Sequence, residues 1–102
     1  MQIVEGWIRF APGDLAPILA PAKPLLAATR NEAGCQSCVF SIDVEDPNVL
    51  RLTEVWQDEA ALEAHAHAPH VAAFAGLLRN ASIEAMNVKC YSGEFQRTLM
   101  QK

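Results

Sequence analysis

The chain has 102 residues, 51% of them hydrophobic and 20% charged, the composition of one globular domain (1–102) with a single modest core. A formal net charge of −4 leaves no basic footprint, so nucleic acid is not expected as a partner. No stretch reads as a membrane span, MQIVEG is not a secretory leader, and three cysteines, an odd number, point to reduced thiols in a cytoplasm.

Ile3 to Phe10 reads as a first strand, with Ile3, Glu5, Trp7 and Arg9 on one face and Val4, Ile8 and Phe10 on the other. Ala11-Pro12-Gly13-Asp14 is a turn that ends in a helix N-cap. Leu15, Ile18, Leu19, Ala22, Leu25, Leu26 and Thr29 then recur at helical spacing. Pro21 and Pro24 each remove an interior hydrogen bond and predict a kink near Ala20 to Lys23. Gly34 is suited to a left-handed close.

Cys35 to Glu45 is the second strand, with Cys38, Phe40, Ile42 and Val44 on its apolar face. Residues three apart in a strand point to opposite faces, so Cys35 and Cys38 read as small strand residues rather than a metal or redox pair. Asp46-Pro47-Asn48 turns the chain into LRLTEVWQ, where Leu50, Leu52, Glu54 and Trp56 share a face. Asp58 is an N-cap with Glu59 in the first turn, and Leu62, His65 and Ala66 fall on one helical face. Pro69 ends that helix near Ala68 and opens another, which buries Val71, Phe74, Leu77 and Leu78. Ile83 to Ser92 is the last strand. In the tail that follows, residues 93–102, Phe95, Leu99 and Met100 are too apolar to hang free.

The order β, α, β, β, α, β predicts a ferredoxin-like α+β fold. Apolar residues on both sheet faces (Val39 and Val55 opposite Phe40 and Trp56) predict a homodimer that buries sheet against sheet, with the tail covering part of the interface.

Little of the chain carries chemistry. His65 and His67 lie about 200° apart on a helix, and His67 and His70 straddle Pro69. No carboxylate stands at helical spacing to complete a ligand set, so no metal is expected. His67 and His70 are read as solvated, His65 as half-buried and either a satisfied core residue or a base in a pocket. Glu54 is a structural ion pair with Arg9, Arg51 or Lys89, a carboxylate capping a helix N-terminus, or a catalytic carboxylate beside His65. Trp56, Phe74 and Trp7 are either the walls of an aromatic pocket or simply the largest core residues. No Gly-rich phosphate loop, GxSxG or paired catalytic carboxylates occur.

EAGCQSCVFSIDVEDPN followed by LTEVWQDEAALEAHAHAPHVAAF resembles the antibiotic biosynthesis monooxygenase (ABM) family, including small quinol monooxygenase-like proteins. The matching positions are Glu32, Gly34, Cys35, Asp46, Pro47, Glu54, Trp56, His65, Pro69, His70 and Phe74. Tyrosines common in the family's second strand and before its Glu are replaced here by Cys38 and Thr53. The resemblance implies a dimeric α+β barrel and a pocket between sheet and helices. It also implies cofactor-free oxidation of a small electron-rich aromatic, of hydroquinol or anthrone type, with O2. On that reading His65 is the base and Glu54 orients or replaces it, while Trp56, Phe74, Phe40, Trp7 and His70 contact substrate. The family's haem-degrading branch needs an Asn on the first strand and a His on the second helix; Trp7 and Phe74 stand there, so haem is not expected. An oxygen-independent isomerase of a small carbonyl compound and a non-catalytic dimeric binding module remain open at this point.

Overall fold

The computed structural model describes all 102 residues. Seven elements follow one another: β1 (Gln2–Phe10), α1 (Ala16–Arg30), β2 (Cys35–Ile42), β3 (Val49–Trp56), α2 (Glu59–Ala66), α3 (Pro69–Arg79) and β4 (Ile83–Ser92). The strands form one antiparallel sheet in the order β2-β3-β1-β4. This is the ferredoxin-like α+β arrangement, with its second crossover divided into two helices. Pro69 opens α3 at the position where a missing N–H costs nothing.

Register decides what faces the helices. Ile8 pairs with Leu50, Gly6 with Leu52, and Phe40 with Leu52, which turns the apolar sets of three strands to one side. Ile8, Phe10, Leu15, Ile18, Leu50 and Leu52 form the buried core there. From α1, Ile18, Ala22, Leu25 and Thr29 supply one buried stripe at helical spacing. The helix runs unbroken through Pro21 and Pro24, because packing of that stripe offsets the loss of the hydrogen bonds the prolines remove. No helix is long and apolar enough to cross a membrane.

Four local expectations are corrected. Asp14 does not cap α1: Leu15 holds that position without a side-chain bond, and Asp14 Oδ2 instead accepts from the Ser82 N–H at 2.8 Å. The second strand stops at Ile42, because Asp43 and Asp46 accept from the Glu45 and Asn48 N–H groups at 2.7 and 2.9 Å and turn the chain. Cys35 pairs with Trp56 and Cys38 with Glu54, since a register shift between Cys35 and Ser37 inserts one residue. Both thiols therefore lie on the helix side. Trp7 lies on the open face of the sheet, 5.7 Å from the Arg9 guanidinium and close to Arg51 and Asp46, not in the pocket.

Candidate active site

Four elements deliver polar groups to one place between sheet and helices. β3 presents Glu54 and Trp56 to the helix side, opposite Cys38 and Cys35 of β2. Asp58 caps α2 by accepting from the Ala61 N–H at 2.9 Å, which fixes where His65 stands in its last turn. The loop after α1 carries Glu32, and the first turn of α3 carries His70. That loop is held by Arg30 Nε donating to the Cys38 carbonyl at 2.9 Å and by the Gln57 N–H donating to the Gly34 carbonyl at 2.8 Å. Gly34 has φ +82°, and a Cβ there would stand 2.6 Å from Ala61 Cβ. Only glycine lets the loop pass under α2.

Glu32 joins the two histidines. His65 Nδ1 lies 2.6 Å and His70 Nε2 2.9 Å from the same Glu32 Oε2. Burial pushes this carboxyl up, but hydrogen bonds from His65 and His70 outweigh burial and hold it below its ordinary value. An ionised carboxylate only accepts, so each of those ring nitrogens carries a proton. Neutral His65 is thereby fixed in the tautomer whose Nε2 has a free lone pair. That nitrogen is 3.7 Å from Glu54 Oε1, which accepts the Trp56 Nε1–H at 2.9 Å. The Trp56 indole also lies against the imidazole, with ring centroids 4.6 Å apart.

His65 opens onto a cavity of about 140 Å³ that Glu54 also lines. Leu25, Phe40, Val71 and Phe74 make its apolar wall, with the Phe40 and Phe74 rings 5.7 Å apart. Cys38 borders it as a neutral thiol, pushed up to about 12 by burial and by the neighbouring Glu54 charge.

The predicted site residues divide accordingly. His65, Glu54, Phe40 and Phe74 meet at one cavity. Trp56 is fully buried and stands behind His65 and Glu54 rather than on the wall. His70 is not a solvated residue: its side chain is 24% exposed, it is bonded to Glu32, and it borders a groove between α1 and α3. His67 is exposed and pairs only with Glu63 of its own helix. Glu32 was not singled out by residue-level reasoning, being 33 and 38 residues from its partners. Its one signal was the Glu-x-Gly-Cys match.

Glu32, His65 and His70 also place three ligand atoms within 4.8 Å of one another. The carboxylate that helical spacing lacked thus arrives from a loop, which overturns that part of the argument against a metal. The 2.6 and 2.9 Å contacts are nevertheless hydrogen-bond lengths, and a cation would have to displace both protons.

Comparison with known proteins agrees with this fold. The model of a family described as antibiotic biosynthesis monooxygenase matches residues 1–77. An uncharacterized protein of Synechocystis is 27% identical over 97 residues, or 95% of this chain. The match spans 66% of that relative's length, just under two thirds. A Deinococcus radiodurans protein solved as a candidate antibiotic biosynthesis monooxygenase is 23% identical, with TM-score 0.89 over 99% of this chain and 100% of that one. A Bacteroides thetaiotaomicron protein of unknown function, described as a possible oxidoreductase, is 22% identical, with TM-score 0.78 over 88% of this chain and 94% of that one. At these identities the two structures carry the fold alone.

Proposed function

The chain belongs to the antibiotic biosynthesis monooxygenase family, and on that premise we propose that it oxidises a small electron-rich aromatic with O2, using no metal or organic cofactor. The observation that carries this reading is His65: one nitrogen is held by an ionised carboxylate, and the other is free beside an aromatic-walled cavity. Such an imidazole is a positioned general base.

For a hydroquinol the steps follow from its own chemistry. His65 Nε2 takes a hydroxyl proton, and the imidazolium formed is stabilised by Glu32, by nearby Glu54 and by the face of Trp56. The resulting phenolate is reducing enough to pass one electron to O2. Superoxide and semiquinone then combine at a ring carbon to give a hydroperoxide. Loss of water from it leaves a hydroxyquinone: one oxygen atom stays on the ring, the other leaves as water, and the substrate supplies all the electrons. Apolar walls keep water from the charged intermediates.

The test is turnover under 18O2 in the presence of a strong chelator. One labelled atom in the product, at an undiminished rate, is expected; unlabelled product or loss of activity on chelation would refute the proposal.

A homodimer completes this reading. Val39 and Tyr91 are 48% and 49% exposed on the open sheet face, and Phe95, Leu99 and Met100 of the tail are more exposed still. A second copy placed sheet to sheet would cover both. The three free cysteines fit a reducing cytoplasm.

A further inference from the structure

We propose that Glu32, His65 and His70 are also the ligands of a zinc-class divalent cation, and that this cation, when bound, removes His65 from service as a base. The site stands on its geometry; its consequence for turnover rests on the oxidation reading above. Three elements bring the donors together: the loop after α1, the last turn of α2 and the first turn of α3. Their ligand atoms lie within 4.8 Å of one another, and both ring nitrogens face one Glu32 oxygen at 2.6 and 2.9 Å. Two imidazoles and one carboxylate suit zinc and its transition-metal neighbours rather than magnesium or calcium, and they leave a fourth position to water. Ligands about 2.0–2.2 Å from one tetrahedral ion stand roughly 3.3–3.5 Å apart. The nitrogens therefore need to withdraw from the Glu32 oxygen by less than about 1 Å to admit it. His70 also borders the groove between α1 and α3, which gives an ion a way in from solvent.

A second observation lies on the far side of the His65 ring. A metal-bound histidine ordinarily donates its remaining N–H to a carboxylate, carbonyl or water. Glu54 stands there, with Oε1 3.7 Å from Nε2 and a lone pair to spare beside the one that the Trp56 N–H takes. Without metal, two acceptors face each other across that gap; with metal, a donor meets an acceptor. Coordination thus reverses the tautomer. A neutral imidazole bonded to zinc through Nδ1 carries its one proton on Nε2. The Nδ1 proton leaves to water and another is taken up at Nε2, so the charge of the ring is unchanged. The nitrogen that served the cavity becomes a donor, with no lone pair for a substrate proton. Zinc should inhibit, not activate.

The test is titration of the chelator-stripped full chain with Zn2+, read by calorimetry, by imidazole 15N spectra and by oxygen uptake on a benzenediol. One ion per chain should bind. His65→Ala, His70→Ala and Glu32→Gln should each weaken binding by more than the roughly 10- to 100-fold that losing an outer supporting bond costs. His67→Ala should bind zinc as the wild type does, and Mg2+ should not compete. In the wild type the spectra should place the His65 proton on Nδ1 before zinc and on Nε2 after it, a readout that needs no variant to fold. Uptake should fall in proportion to occupancy and recover on chelation. Equal zinc affinity in the wild type and His70→Ala would overturn the site and leave the oxidation reading intact, as would a His65 proton that stays on Nδ1 at saturation. Uptake that rises with zinc would overturn the switch and the metal-free reading together. A metal-free protein inert on every diol would overturn the oxidation reading alone, because calorimetry and the spectra do not depend on turnover.

Discussion

In the proposed mechanism His65 works through two nitrogens with different partners. Glu32 holds Nδ1, so Nε2 is left free for a substrate proton. Glu32→Gln keeps an acceptor there but removes the charge that steadies the imidazolium. Turnover should fall by about one to two orders of magnitude with KM little changed, less than the loss of the base itself. The same carboxylate links stability to acid. Its folded value lies below its ordinary value of 4.5, so the folded state binds the proton less readily than the unfolded chain. The stability this confers is fully present above pH 4.5 and is lost as pH falls below it. Urea midpoints at pH 7 and pH 4 should show a smaller acid loss in Glu32→Gln than in the wild type; an equal loss would contradict the pairing. Sequence patterning reached His65 and Glu54 because each sits on an apolar face of its own element. It did not reach Glu32, whose role exists only once a loop and two helices come together. Nor did it fix the side of Trp7, since both faces of β1 carry apolar residues and only packing against α1 chooses between them.

At the scale of elements the legible features were those with a local cause. Period-two and helical patterning gave the strands and helices, Asp58 the start of α2, and Pro69 the division of the second crossover. Asp14 misled because its carboxylate finds the Ser82 N–H, 68 residues away, rather than its own helix. The extra residue near Gln36 misled because a bulge leaves no periodic signal, and it reverses the side on which Cys35 falls. Gly34 links local conformation to the site, being two residues from Glu32 and packed under α2. Gly34→Ala should cost about 1–3 kcal/mol in urea denaturation, from positive φ and from contact with Ala61 Cβ. Adding Ala61→Gly should recover the contact part but not the φ part. A Gly34→Ala protein as stable as the wild type would contradict the close approach.

For the molecule as a whole, the layer of helices covers one side of the sheet and leaves the other open, the face on which we propose a partner copy. Sedimentation should show a dimer at micromolar concentration, and Val39→Glu on the open face should shift it toward monomer; a stable wild-type monomer would contradict the dimer. The function turns on the chemistry of one cavity. Oxygen uptake by the metal-free protein across a panel of benzenediols, with autoxidation subtracted, tests it most directly when wild type, His65→Ala and His67→Ala are run together. The account predicts uptake that falls by about two to four orders of magnitude in His65→Ala, as expected for loss of a general base, and is unchanged in His67→Ala. Equal uptake by wild type and His65→Ala, or no uptake on any of the diols, would contradict it.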